Sequence, residues 1–183
     1  MPSAEGNLTW LPPVDHPGLV TASVARALAE LPDPGAVRVA AIDPGLADTA
    51  AFCAAYDVAP AASANCVVVE ARRGEVSTIA AVLVLATDRA DINKVVRHHL
   101  GARKISFADQ RRVEQLTGMQ SGAITPLGLP PDWPVLVDQA VVAAGPVVIG
   151  AGLRGAKLLV DGAVLAALPT ATTLALAVLP AGL

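Results

Sequence analysis

The sequence predicts a mixed β-sheet wrapped by short helices. Runs of β-branched and aliphatic residues dominate the middle of the chain, short helical segments alternate with them, and no internal repeat is present. Hydrophobic residues make up 54% of the 183-residue chain and aromatic residues only 3%, so the core must be built mainly from Val, Leu, Ile and Ala. This length fits one domain with a full core and an additional N-terminal element.

The N-terminal part of the chain predicts a loose arm, a helix and a strand. Prolines punctuate residues 1–16, and apolar residues recur at helical spacing over 18–31 until a proline ends the run. An apolar run over 37–42 predicts a strand that ends at an Asp-Pro-Gly turn. We therefore divide the chain into an N-terminal arm and helix, residues 1–35, and a single globular unit, residues 36–183.

Aspartates mark the starts of the later helices, because a carboxylate at the N-cap accepts N–H groups of the first turn. The predicted helices are 48–56, 91–99, 109–118 and 161–168. The apolar runs between them predict strands over 66–69, 80–85, 103–107, 135–137, 147–149 and 157–160, with the first two joined as a hairpin. The uncharged tail after Asp161 is rich in alanine and interrupted by prolines, so we interpret it as a strand-to-helix segment packed on the core and not as a membrane span.

The charge distribution is uneven along the chain. The net charge of −3 excludes a globally basic nucleic-acid-binding protein. Residues 72–112, however, hold nine Lys or Arg and four Asp or Glu, a net of +5 that leaves −8 for the rest. This region predicts either a face for the tRNA backbone or an ordinary solvated surface. The residues that we expect to bind tRNA are Arg103, Lys104, Arg111 and Arg112.

The cysteine and histidine content argues against a metal site. Cys53 and Cys66 form no CxxC pair and have no histidine at ligand spacing, so we expect buried free thiols. The absence of a disulfide framework and of a signal-peptide pattern fits a cytoplasmic protein. We expect no cofactor, and the lack of a P-loop argues against a nucleotide-dependent enzyme.

The segment Thr117–Leu129 is the most informative stretch. It places Gly118, Gly122, Gly128 and Pro126 around two hydroxyl residues. Glycine allows close backbone approach, and proline fixes its own φ and keeps the preceding residue extended. Such a loop can direct several N–H groups at one point, as a developing oxyanion requires, or it can be a structural turn between a helix and a strand.

The loop and its surroundings resemble the YbaK/EbsC family, also called the prolyl-tRNA-synthetase-associated domain, whose members are aminoacyl-tRNA editing domains. The resemblance covers about residues 48–168. Its blocks are Thr117-Gly118 with Gly122-Ala-Ile-Thr-Pro-Leu-Gly128, Ala90–Arg97 with Leu100–Ala108, Leu136-Val-Asp138, and Val148–Gly155 with Leu158-Leu-Val. Several blocks in the same order are more specific than any one of them.

The resemblance implies an α+β domain with a strongly curved, partly barrelled sheet, which hydrolyses mischarged tRNA. The catalytic environment is expected at Gly122, Ala123 and Thr125 of the loop. The expected substrate-binding residues are Asn65, Ser121, Pro126, Gly128, Asp138, Gly150 and Gly152. An aminoacyl ester is already activated, so binding the amino acid, holding a water and stabilising the oxyanion are sufficient, and the sequence holds no GxSxG or HExxH motif.

The sequence departs from the family at Asn65. The family has a lysine near the start of the matching strand, and an amide can only hydrogen-bond where a lysine would bring a cation. Another cation would have to replace it, with Arg72, Lys94 and Arg154 as candidates. The chain is therefore interpreted as a stand-alone, trans-acting aminoacyl-tRNA deacylase for a small mischarged amino acid. The alternative is a non-catalytic module of the same fold that binds aminoacyl-tRNA.

The expected partners follow from this reading. The principal one is the tRNA acceptor end that carries an amino acid, and an aminoacyl-tRNA synthetase is a further one. Neither a membrane nor a metal is expected to take part.

Overall fold

A computed structural model describes residues 1–178 of the chain. Its helices are α1 Ala22–Ala29, α2 Thr49–Tyr56, α3 Arg97–His99 with a preceding π-helical turn Ile92–Val96, α4 Gln110–Thr117, α5 Gln139–Ala143 and α6 Gly162–Ala166. Its strands are β1 Arg38–Ala41, β2 Ala64–Arg73, β3 Val76–Leu85, β4 Lys104–Phe107, β5 Val135–Asp138, β6 Pro146–Gly150, β7 Ala156–Asp161 and β8 Ala171–Leu174. Short 3-10 turns that begin at prolines join several of them.

The strands form two sheets. The larger sheet has the order β4-β2-β3-β5-β8, and its centre is the antiparallel β2–β3 hairpin that pairs Ala64 with Leu85 at one end and Arg73 with Val76 at the other. β3, β5 and β8 are parallel to one another. The smaller sheet has the antiparallel order β1-β7-β6. A single bridge between Ser63 and Val148 joins the edges of the two sheets.

The main core lies between the two sheets and is aliphatic, as the composition predicts. Its largest cluster includes Val24 and Leu28 of α1, Leu83 of β3, Val137 of β5, Ile149 of β6 and Leu158 of β7. A second cluster packs under the π-helical turn, and a third holds Phe52 of α2. The N-terminal arm lies on this body, because Leu11 pairs with Val39 and Trp10 packs on the third cluster.

The predicted helix starts are confirmed by their capping bonds. The carboxylates of Asp48, Asp91, Asp109 and Asp161 each accept a backbone N–H of the turn that follows. Gly118 ends α4 with a φ of +70°, a left-handed conformation that glycine adopts without strain. The predicted β2–β3 hairpin is also confirmed.

The strongly curved, partly barrelled sheet is not confirmed. The described strands form two open sheets, and neither closes on itself. The sequence also missed α5, a five-residue helix between two adjacent apolar strands, because so short a segment gives little periodicity. The tail contributes β8 and the buried Leu176, and residues 179–183 lie outside the described part. No helix within residues 1–178 has the length and apolar character that crossing a membrane requires.

Candidate functional site

A cavity of about 900 Å³ lies where the two sheets meet. Its walls come from the start of α2, the start of β2, the Gly/Pro loop (residues 117–129), the end of β6 and the start of β7. Three of the residues expected to form the site line it, namely Asn65, Gly122 and Gly150. The remaining walls are largely small and apolar, with Ala47, Ala50, Ala54, Ala64, Ala86, Val58 and Val67 among them.

Asn65 is held in place by a neighbour on α2. The hydroxyl of Thr49 donates to Oδ1 of Asn65 over 2.6 Å, and the N-cap Asp48 fixes the turn of α2 that carries Thr49. The amide oxygen of Asn65 is thus engaged, while its NH₂ group makes no hydrogen bond within residues 1–178. The residue can therefore donate to a carbonyl or hydroxyl oxygen of a ligand, but it brings no charge.

The Gly/Pro loop lies directly against the end of β6. Gly152 N–H donates to the carbonyl of Ala123 over 2.8 Å, and Gln120 N–H donates to the carbonyl of Gly152 over 2.8 Å. Gly150 makes this approach possible, since a Cβ there would lie 2.5 Å from the carbonyl oxygen of Ala123 and 2.6 Å from that of Ile124. The glycine at position 150 is thus required by the backbone of the loop that faces it.

Two loop residues that line the cavity have a backbone N–H group without a hydrogen-bond acceptor in the described part of the chain. They are Gly122 and Ile124. The Ala123 N–H, expected to face the substrate, instead donates to the carbonyl of Gln120 over 3.0 Å. Among the lining residues of the loop, the backbone donors left for an oxyanion are therefore those of Gly122 and Ile124.

Arg154 also holds the loop in place. Its guanidinium donates to the carbonyl of Ser121 over 3.3 Å and to that of Pro44 over 3.1 Å. Its backbone N–H donates to the side chain of Gln120, and Ser121 N–H donates to Glu114. Ser121 and Arg154 therefore fix the conformation of the loop at Gly122, and Arg154 is absent from the cavity lining.

A cation that the sequence analysis did not name lies in the cavity wall. Lys157 of β7 is only 7% exposed, its Nζ donates to the carbonyl of Ala47 over 3.0 Å, and it stands 4.9 Å from the centroid of the Phe52 ring. Burial lowers the pKa of Lys157, and nearby Cys53 and Asp48 oppose that effect. No carboxylate within residues 1–178 forms a salt bridge with it.

Both cysteines line the cavity as neutral thiols. Burial raises the pKa of Cys66 to about 12, and burial also raises that of Cys53 against a hydrogen bond with Ser63 and the charge of Lys157. Since the thiolate is the nucleophilic form, neither thiol is activated for attack. In the described part of the chain no group of three His, Cys, Asp or Glu side chains could hold a metal ion.

The other half of the loop turns away from this cavity. Thr125 is fully buried, and its hydroxyl has no hydrogen-bond partner among the described residues. Pro126 and Gly128 line a separate apolar groove next to α1, where Gly128 lies against the backbone of Ser23. Gly152 packs on Thr21 of the N-cap of α1. The structure therefore brings Asn65, Gly122 and Gly150 together but places Thr125, Pro126, Gly128 and Gly152 outside the lining.

Asp138 is also outside the cavity lining. It is 1% exposed, and its carboxylate accepts N–H groups of Ala140, Leu176 and Ala177 over 2.7, 2.6 and 2.9 Å. These bonds cap α5 and attach the segment after β8 to β5. A carboxylate with three N–H donors has the arrangement of a structural cap.

The expected tRNA-binding residues lie along one edge of the larger sheet. Lys104 pairs with Arg72 across β4 and β2, Arg103 N–H donates to the Arg72 carbonyl, and Arg112 of α4 forms a 3.0 Å salt bridge with Glu70. We call Arg72, Arg103, Lys104 and Arg112 the basic edge; Arg111 is exposed on the same helix as Arg112. Ser77 and then Arg72 lower the pKa of Glu70. Arg72 lies seven residues along β2 from Asn65, which is roughly 23 Å at the rise of a strand.

None of the three cations considered as replacements for the lysine at position 65 lines the cavity. Arg72 is at the far end of β2, Lys94 is exposed in the π-helical turn, and Arg154 holds the loop. The one sequence signal for Lys157 was its place in the run Ala156–Val160, where a lone cation interrupts buried apolar residues. A charged side chain in such a strand predicts a special environment.

Comparisons with known proteins agree with this architecture. The family model of the aminoacyl-tRNA editing domain matches residues 43–168. A crystal structure of a candidate trans-editing enzyme for prolyl-tRNA synthetase has a TM-score of 0.71 at 20% identity, covering 87% of this chain and 99% of that one. The hypothetical protein APE2540 has a TM-score of 0.69 at 21% identity over 78% of this chain and 91% of that one. A scaffold protein used for epitope grafting has a TM-score of 0.73 at 20% identity, covering 87% of this chain and 99% of that one. No curated protein matches the chain.

Proposed function

Because the chain belongs to the aminoacyl-tRNA editing domain family, we propose that it hydrolyses the ester between a mischarged amino acid and the 3′ end of tRNA. The observation that carries the proposal is the shared cavity. Asn65, Gly122 and Gly150, which come from three separate blocks of the sequence, line one space of about 900 Å³ together with two unengaged loop N–H groups. A cavity of this size accommodates an aminoacyl group together with a terminal nucleoside.

The chemistry uses water as the nucleophile. Water adds to the ester carbonyl carbon and loses a proton, and the carbonyl oxygen becomes the oxyanion of a tetrahedral intermediate. The N–H groups of Gly122 and Ile124 stabilise that oxyanion. The intermediate then collapses, the bond to the ribose 3′ oxygen breaks, and that oxygen takes up a proton as the amino acid leaves. Because both cavity thiols are neutral, no acyl-enzyme is required.

The cavity favours a small amino acid. Five alanines line its walls, so the space is shaped by backbone and methyl groups and contains no aromatic stacking surface among its lining residues. Asn65 is positioned to donate its NH₂ group to a carbonyl or hydroxyl oxygen of the substrate. The small side chain of a mischarged residue would pack on these methyl groups.

The rest of the tRNA is proposed to contact the basic edge. That edge lies roughly 23 Å from Asn65 along β2, so it would meet phosphates further along the acceptor end while the terminal nucleoside enters the cavity. The enzyme would act in trans in the cytoplasm, with the aminoacyl-tRNA synthetase that makes the error as a further partner. The trans-editing description of one structural relative supports this mode of action.

A deacylation screen tests the proposal. The purified chain is incubated with a panel of mischarged tRNAs and with the correctly charged tRNAs, and release of the amino acid is followed in single-turnover conditions. We expect release from at least one mischarged tRNA at well above the uncatalysed rate. Binding of charged tRNA without turnover on any member of the panel would instead establish the non-catalytic module.

A further inference from the structure

Lys157 is a buried charge without a counter-ion. Its side chain is 7% exposed, and among the described residues its Nζ hydrogen-bonds only to the carbonyl of Ala47. An ammonium group carries three donors, so two remain unused. Taking an ion out of water costs on the order of several kcal/mol. A single neutral acceptor and an aromatic face offset only part of that cost.

A purely structural role does not account for this arrangement. The cation–π contact with Phe52, at 4.9 Å, contributes roughly 0.5–2 kcal/mol. A methionine would pack on Phe52 and the cavity wall without the cost of desolvation. The charge is therefore useful only if something binds to it, and Lys157 lies in the wall of the cavity that also contains Gly122, Ile124 and Asn65.

We propose that Lys157 binds the negatively charged oxygen of the tetrahedral intermediate and acts with the Gly122 and Ile124 N–H groups as the third component of the oxyanion site. The proposal rests on the deacylase function proposed above. Lys157 is a catalytic residue in this sense, since it touches the reacting atoms. The cation thus comes from β7 of the smaller sheet, whereas Asn65 comes from β2 of the larger one.

The groups around Lys157 are compatible with this role. Burial disfavours the charged ammonium and lowers the pKa of Lys157, and Arg154 adds to that effect, whereas the carboxylate of Asp48, directly before α2, opposes it. Cys53 is itself neutral because burial raises its pKa. An arriving oxyanion would therefore be the first anion in contact with the ammonium, since no carboxylate of the described chain is within salt-bridge distance.

The experiment replaces Lys157 with Met and, separately, with Gln, and uses Lys94→Met as the matched control because Lys94 is exposed and outside the cavity. We expect single-turnover deacylation to fall by about 10²–10³-fold in both Lys157 variants, the usual loss on removal of one oxyanion-site group. The control should retain the wild-type rate. Thermal melting should show Lys157→Met to be at least as stable as wild type, which separates loss of function from loss of structure.

A second measurement does not depend on turnover. Two adenosine derivatives are compared: one carries the amino acid through a neutral amide, and the other carries a phosphonate whose tetrahedral centre is anionic. Wild type should bind the phosphonate more tightly, and Lys157→Met should lose that preference by at least tenfold while binding the amide unchanged.

The two proposals can fail separately. If wild type turns over tRNA and both Lys157 variants retain that rate, the role of Lys157 is overturned and the deacylase function stands. If wild type turns over none of the tRNAs, the deacylase function is wrong. In that case the phosphonate preference still decides whether Lys157 binds an anion, and its absence in wild type or its persistence in Lys157→Met would overturn the inference.

Discussion

Replacing Gly150 with alanine should disable the site by moving the loop. The new Cβ would lie 2.5 Å from the Ala123 carbonyl oxygen, 2.6 Å from that of Ile124 and 2.8 Å from the Ala123 carbonyl carbon. Ordinary contact begins near 3.4 Å, so the loop backbone must retreat by about 0.9 Å from β6. That backbone carries the N–H groups of Gly122 and Ile124, two residues that line the cavity.

The displacement determines the expected magnitude. A misplacement of about 1 Å of groups that stabilise a transition state costs roughly 10²-fold in rate, whereas overpacking of this kind costs about 1–3 kcal/mol of stability. Single-turnover deacylation measures the first quantity, and denaturant unfolding measures the second. The matched control is Gly155→Ala, where the Cβ would meet only the Pro44 ring at 3.6 Å and the Ile42 carbonyl at 3.9 Å. A folded Gly150→Ala protein that deacylates at the wild-type rate would refute the assignment of the loop donors.

Three further predictions follow from the charges of the site and its support. Asn65→Lys should lower the deacylation rate of the wild-type protein, because it breaks the hydrogen bond with Thr49 and places a second cation near Lys157. In the Lys157→Met protein the same substitution should raise the rate. A double-mutant cycle in which Asn65→Lys changes the rate in the same direction in both proteins would contradict this. Reversal of Arg103, Lys104, Arg111 and Arg112 to Glu should weaken tRNA binding and flatten its salt dependence, measured by filter binding between low and high salt, with turnover of a short aminoacyl-adenosine unchanged. The ratio of the wild-type rate to the Lys157→Met rate should decline as pH rises, because only protonated Lys157 is charged. The decline should begin below the usual pKa range of lysine, since burial lowers the pKa of Lys157. A ratio that stays constant up to pH 10 would exclude the ammonium as the active form.

Sequence patterns predicted the helices and strands more reliably than they predicted the residues of the candidate site. The capping aspartates Asp48 and Asp109 and the alternating residues of β2 and β3 leave marks within a few residues of one another, so their helices and hairpin could be predicted. The loop was found for the same reason, since its three glycines and its proline lie within one short segment. The curvature of the sheets and the division of the strands into two sheets could not be predicted in this way, because they depend on pairing between residues far apart in the sequence.

Asp138 shows why residue roles are harder to predict than elements. A carboxylate at the end of an apolar strand is compatible with binding an ammonium, orienting a water or capping a turn. Which applies depends on Leu176 and Ala177, whose N–H groups come to Asp138 from nearly forty residues away. The backbone hydrogen bonds of Ala123 could not be predicted from the sequence either. Its N–H donates to Gln120 and its carbonyl accepts from Gly152, and these contacts form only in the folded loop.

The candidate site lies at the junction of the two sheets, so the relative position of its residues depends on how the backbones of both sheets are held together. Asn65 and Cys66 come from the larger sheet, and Gly150 and Lys157 come from the smaller one. The loop is held by two backbone bonds to Gly152, just after β6, and to Pro44 through Arg154. Asn65 accepts the Thr49 hydroxyl and brings a neutral group from β2 to α2, whereas Lys157 brings a charge from β7 to Ala47 and to Phe52 of α2. The ammonium and the loop donors are therefore both fixed relative to the smaller sheet, whereas Asn65 is fixed relative to the larger one. A substitution that shifts one sheet against the other, at the Ser63–Val148 bridge for instance, should alter substrate binding through Asn65 more than the oxyanion site itself.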